Sequence, residues 1–160
     1  MSKVRRRITA KGIKPIQKVQ HSFENYYLYG AVEPTSGEGF FLEMPNLDSD
    51  CFQVFLDHFS ANYSDSFTIM ILDNGAFHKA KKLVIPDNIA LLFLPPYAPE
   101  INPIERLWQD IKEQITFPLF EKLSDLRDDV ADILKGYSAQ AIASLTAYHY
   151  LVEAVYALSD

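Results

Sequence analysis

The stretch Phe67-Thr68-Ile69-Met70-Ile71-Leu72-Asp73-Asn74-Gly75 decides the fold. Six uncharged, largely apolar residues run without interruption and then stop at a turn-forming triplet. A run of this length bounded by turn chemistry reads as a strand, and the absence of alternation predicts burial on both faces, as in α/β sheets. Residues 89–94 repeat the pattern and are closed by Pro95 and Pro96, which cannot continue a ladder. A short helical turn around His78–Leu83 fits between the two strands.

Upstream, residues 26–32 are rich in strand formers. Glu33-Pro34-Thr35-Ser36-Gly37 supplies a turn, and Phe40-Phe41-Leu42 resumes a strand. Together these predict a β-hairpin. Asp48 is then a fitting N-cap for a helix whose apolar face is Phe52, Phe55, Leu56, Phe59 and Tyr63, at helical spacing. Downstream, helices are expected over about 103–115, 124–135 and 139–158, with Ser124 and Ser138 as N-caps and Gly136 as a C-cap. In the first of these, Asn102 suits the N-cap, Pro103 the first helical position and Glu105 the acidic place of a capping box. Ile104, Trp108, Ile111 and Ile115 are expected to face the core. The order of elements predicts a mixed α/β domain spanning residues 1–160, with helices packed on a central sheet.

The chain carries 15 basic and 21 acidic side chains, a net charge of −6. Its basic residues are unevenly placed: Lys3, Arg5, Arg6, Arg7, Lys11, Lys14 and Lys18 fall within residues 1–18, where no acid occurs. The remaining residues balance at −13. A basic segment of this kind draws phosphate by releasing counterions, although it also serves solubility. The single cysteine, Cys51, excludes an internal disulfide, and no Cys/His cluster points to zinc. No apolar run is long enough to span a bilayer, and residues 1–20 lack the apolar core of a signal peptide. The composition therefore predicts a cytoplasmic protein without a membrane partner.

Two acids stand where chemistry is expected. Asp73 ends a buried strand, and ligands in open α/β sheets gather beyond the carboxyl ends of strands. Glu105 falls in the first turn of a helix, with 31 residues between the two acids. Each has a purely structural explanation, Asp73 as a turn residue and Glu105 as a cap. Two carboxylates at one sheet edge also suit Mg²⁺, which takes hard oxygen ligands and leaves places for water and substrate phosphate. A pair of such ions would serve attack on a phosphodiester.

The residues from Ile71 to His78 (Ile71-Leu72-Asp73-Asn74-Gly75-Ala76-Phe77-His78) resemble the second-aspartate motif of DDE-type transposases from mariner-like bacterial insertion sequences. Leu94-Pro95-Pro96-Tyr97-Ala98-Pro99-Glu100-Ile101-Asn102-Pro103-Ile104-Glu105-Arg106-Leu107-Trp108 resembles their third-acid motif, and this second match is long and specific. Tyr29-Gly30-Ala31-Val32 with Thr35-Ser36-Gly37-Glu38 is similar to the hairpin of the same domain, and Lys11-Gly12-Ile13-Lys14-Pro15 to the segment before it. The resemblance runs from about residue 5 to at least 115.

The resemblance implies an RNase H-like mixed sheet with flanking helices, a triad of acids binding Mg²⁺ or Mn²⁺, and DNA as substrate. Asp73 would be the second acid and Glu105 the third, both catalytic and metal-binding. Lys3, Arg5, Arg6, Arg7, Lys11 and Lys14 would contact DNA, and Asn74 and His78 are auxiliary candidates. The family's first aspartate lies on a strand upstream of the segment resembling residues 11–15, yet no Asp or Glu occurs before Glu24. The expectation is a domain truncated at its N-terminal strand, inactive alone, and completed by an upstream transposase polypeptide or another transposase copy. The alternative is a non-catalytic fragment that binds DNA or regulates an intact transposase.

Overall fold

The computed structural model describes residue 25 and residues 27–96, 101–115 and 122–159. The basic stretch with Lys3, Arg5, Arg6, Arg7, Lys11, Lys14 and Lys18 lies outside the described residues, as does 97–100 of the longer motif.

Strands β1 (Tyr27–Val32) and β2 (Gly39–Met44) form the expected hairpin, in antiparallel register from Tyr27 opposite Met44 to Val32 opposite Gly39. Its turn is organised by the Glu33 carboxylate, which accepts from the Thr35 amide (3.0 Å), the Thr35 hydroxyl (2.6 Å) and the Ser36 amide. Gly37 closes it with φ 75°, a left-handed conformation that other residues enter only at a cost. A side chain there would also run into the Ala139 carbonyl.

Helix α1 (Ser49–Asn62) starts at Asp48, whose carboxylate accepts from the amides of Asp50 (3.0 Å) and Cys51 (2.9 Å). Its predicted face is the deepest part of the core: Phe52, Phe55, Leu56 and Phe59 are buried, and Tyr63 lies beside Phe59 at 4.6 Å between ring centres. Cys51 joins them.

Strands β3 (Thr68–Leu72) and β4 (Ile89–Phe93) pair in parallel, Thr68 opposite Ile89 and Leu72 opposite Phe93. The connection between them holds one 3₁₀ turn, Ala76–Lys79, which starts and ends earlier than the predicted His78–Leu83. The rest of the crossover is fastened to α1. Gln53 exchanges two bonds with the Val84 backbone, each 2.8 Å, and Lys82 pairs with Asp50. Asn88 takes the Ser60 hydroxyl at 2.6 Å and donates to the carbonyls of Ser60 and Tyr63.

The expectation that β3 is buried on both faces is corrected. Met70 and Ile89 point into the α1 core, but Ile69 is 51% exposed, Leu92 53% and Phe67 66%. An apolar run reports that a strand suits a buried setting; it does not report whether a covering layer is present. Nor do the described strands join into one sheet. They form two two-stranded sheets, β1–β2 and β3–β4, which share α1 as a common base.

Helices α2 (Ile104–Gln114), α3 (Leu123–Gly136), α4 (Ala139–Thr146) and α5 (His149–Ser159) follow. Helix α2 lies over the outer face of the hairpin, where Trp108 meets Phe41 edge-on at 6.0 Å. Its most buried residues are Leu107 and Ile111; of the expected stripe Ile111 is buried, Ile104, Trp108 and Ile115 are half-buried, and Leu107 takes the deepest place. Arg127 ties α3 to β2 through Glu43 at 2.7 Å.

Three boundary expectations change. Ser124 does not cap α3, which begins without a side-chain cap, and Gly136 is its last residue rather than its C-cap. The single helix predicted over 139–158 is two helices, broken at Ala147 and Tyr148. At the break the buried Thr146 bonds back to the Ile142 carbonyl at 2.8 Å, a habit that bends helices. The Tyr148 ring turns to sit under the Arg106 guanidinium, 4.7 Å away. Ser138 caps α4 as expected, accepting from the Ala141 amide at 3.2 Å. Among the described residues no helix is long and apolar enough to cross a membrane.

Candidate functional site

Asp73 directly follows β3, and the Leu94 amide bonds the Leu72 carbonyl at 2.8 Å to close the two strand ends together. The acid thus stands at the carboxyl end of its strand, as the sequence predicts, and that strand is one of a parallel pair. Its side chain is half exposed. Oδ1 accepts the Gly75 amide at 2.9 Å, an Asx-turn that fixes the carboxylate against its own backbone. The turn role and a ligand role are compatible, because Gly75 engages one oxygen of the two.

His78 is the second group at Asp73. The 3₁₀ turn places its Nδ1 3.0 Å from Oδ1, with the imidazole 12% exposed. The ring is held between Phe52 and Phe77, with centres at 4.6 and 4.0 Å. Nδ1 is buried and makes no full hydrogen bond among the described residues. Burial pulls the imidazole below its ordinary pKa, and the Asp73 carboxylate draws it part of the way back. His78 is thereby favoured as a neutral ring.

Asn74 has a structural task. Its amide nitrogen donates to the Leu94 carbonyl beyond β4, and its oxygen accepts the Lys79 ammonium. It clamps the ends of the two strands together. Lys79, absent from the residues the sequence singles out, also lies over the Phe93 ring at 4.9 Å. The signal for it was its place beside His78 in the same turn, one step past a motif whose chemistry centres on its acid.

Glu105 is exposed in the first turn of α2. The expected capping box does not form. Pro103 has helical dihedrals, the helix starts without a side-chain cap, and the Glu105 amide bonds the Asn102 carbonyl at 3.1 Å. Its carboxylate is therefore not spent on the helix end. Arg106, next to it, is engaged by Tyr148. Among the described residues no group of three or more His, Cys, Asp or Glu side chains assembles into a metal-holding cluster. The structure brings Asp73, Asn74, His78 and Lys79 together, and Glu105 is exposed in the first turn of α2.

These features are those of an α/β domain with a half-exposed acid beyond a strand's carboxyl end, the place where ligands gather in such sheets. Residues 1–127 match the family described as DDE superfamily endonuclease, and the chain belongs to that family. It is 36% identical over 102 residues to the protein called uncharacterized protein y4pE/y4sA of Sinorhizobium fredii, a match covering 62% of this chain and 76% of that protein. It is 32% identical over 98 residues to the insertion element IS630 uncharacterized 39 kDa protein of Shigella sonnei. That match covers 58% of this chain but only 29% of the longer Shigella protein. No solved structure matches the chain.

Proposed function

We propose that this chain is the part of a mariner-like insertion-sequence transposase that contributes the second and third acids of a metal-dependent DNA cleavage and strand-transfer site. The observation that carries the reading is the setting of Asp73. It is fixed at the carboxyl edge of a parallel strand pair, one oxygen engaged by Gly75 and the side chain half open to solvent. Asp73 and the exposed Glu105 are hard oxygen donors of the kind Mg²⁺ or Mn²⁺ prefers, so the donor set fits a divalent cation in chemistry. When bound, the metal neutralises charge at the scissile phosphate and makes water or a 3′-hydroxyl a better nucleophile.

The chain's own residues then have separate tasks. Asp73 and Glu105 fix the position of the phosphate-facing charge. Asn74 keeps the strand ends in register beneath it. Lys3, Arg5, Arg6, Arg7, Lys11 and Lys14 hold DNA phosphates and give position without reading sequence. The acid that stands first in the family's order is also needed to complete such a site. The reading takes it from an upstream transposase polypeptide or a second transposase copy, acting on DNA in the bacterial cytoplasm.

The test is nicking of supercoiled DNA with Mg²⁺ or Mn²⁺, by the chain alone and by the chain joined to the polypeptide encoded upstream. Cleavage by the joined protein, lost in Asp73→Asn and in Glu105→Gln, is the expected result. Retained cleavage in Asp73→Asn overturns the assignment. DNA binding without cleavage by the joined protein favours the regulatory fragment instead.

A further inference from the structure

We infer that His78 is a positioning residue for Asp73: its Nδ1–H engages Oδ1, so that Oδ2 is the oxygen presented outward. This rests on the metal-site reading above and deepens it.

Three observations converge. Oδ1 already accepts the Gly75 amide at 2.9 Å, and Nδ1 approaches the same oxygen at 3.0 Å. Nδ1 is buried and makes no full hydrogen bond among the described residues, and Asp73 is the residue set against it. The ring cannot turn away without giving up its packing against Phe52 and Phe77. A neutral imidazole carries one proton, on either nitrogen. With the proton on Nε2, the Nδ1 lone pair would face a carboxylate oxygen at close range, which is repulsive. Placing it on Nδ1 turns the same geometry into an attraction. In this arrangement the contact falls short of a full hydrogen bond, and catalytic hydrogen bonds commonly tighten once the site is filled. Two donors on Oδ1 leave Oδ2 as the oxygen for a cation. Groups that orient a ligating carboxylate in this way typically change metal affinity by about 10–100-fold when removed.

A core-filling histidine would show none of this atom dependence. Asn places its amide nitrogen near the position of Nδ1, whereas Gln reaches toward Nε2. The full chain, H78N, H78Q and D73A are therefore titrated with Mn²⁺, following the free-ion EPR signal. Wild type and H78N are expected to agree within about twofold, H78Q to weaken by about 10–100-fold, and D73A to lose uptake. Independently of metal, ring ¹⁵N spectra of the wild type, with the His78 signals assigned by their absence from H78N, are expected to show the proton on Nδ1. A proton on Nε2 overturns the inference whatever the metal titrations show. Equal Mn²⁺ affinity in H78N and H78Q overturns it while leaving the metal site intact. Wild-type chain that takes up no Mn²⁺, or uptake insensitive to D73A, overturns the metal-site reading and the inference with it.

Discussion

The Trp108 indole stands where a side chain on Gly30 would have to be: a Cβ built on Gly30 meets Trp108 Cη2 at 2.7 Å and Phe41 at 2.8 Å. The bare backbone of β1 is what lets α2 approach the hairpin. Replacing Gly30 by Ala is expected to destabilise the chain by about 1–3 kcal/mol, the usual cost of overpacking, and Val to cost more. Urea unfolding measures it. An Ala variant with an unchanged midpoint would mean that Trp108 does not rest on β1.

Asn74 gives a second expectation. Asn74→Ala removes the donor to the Leu94 carbonyl and is expected to cost about 1 kcal/mol. Asn74→Asp keeps the shape but turns an oxygen toward that carbonyl, so it should melt below the Ala variant. The reverse order of melting temperatures would remove the clamp as an explanation.

Asp48 sets a pH dependence. The Cys51 amide, bonded to its carboxylate, holds it below the ordinary value of 3.8 against the opposing effect of desolvation; the Asp50 amide and Lys82 lower it further. A carboxylate whose folded pKa is lowered binds fewer protons in the folded state. Its contribution is therefore complete above the ordinary value and is lost as pH falls through the lowered one. Asp48→Asn keeps a cap without a titrating group. Urea midpoints taken from pH 7 to pH 2 should fall less steeply for this variant than for wild type. Parallel curves would show that the cap does not titrate.

For the basic stretch, the reading predicts a change in salt dependence. Neutralising Lys3, Arg5, Arg6, Arg7, Lys11 and Lys14 together should weaken DNA binding and flatten its slope against log salt, by about 0.9 for each phosphate no longer neutralised. Asp73→Asn should leave that slope alone. Binding curves at several salt concentrations check both, and an unchanged slope would take DNA away from these residues.

Much of this was legible because local chemistry and tertiary packing agree. The α1 face carries its spacing openly, Asp48 and Ser138 cap as their residue types demand, and Asp73 lies where a strand pattern stops. The failures come from interactions between distant residues. Nothing near residue 147 announces a break, because it depends on Thr146 being buried and on Arg106 reaching Tyr148 from another helix. By size Trp108 is the natural candidate for the deepest residue of α2, but Leu107 is fully buried and Trp108 spreads over the hairpin. The tie between His78 and Asp73 spans five residues of 3₁₀ and turn, a spacing that neither helical nor strand periodicity marks.

The fastening of the crossover to α1 has a consequence for gene shuffling between related proteins. Asp50, Gln53 and Ser60 hold Lys82, Val84 and Asn88, so the helix and the loop that carries the chain from Asp73 into β4 recognise each other through paired side chains. A recombination junction placed between residues 60 and 82 would separate these partners and leave amides and charges facing strangers. Junctions before Asp48 or after Asn88 keep the set whole. Residues 48–88 therefore constitute a unit of inheritance, and viable chimeras should exchange it as one block.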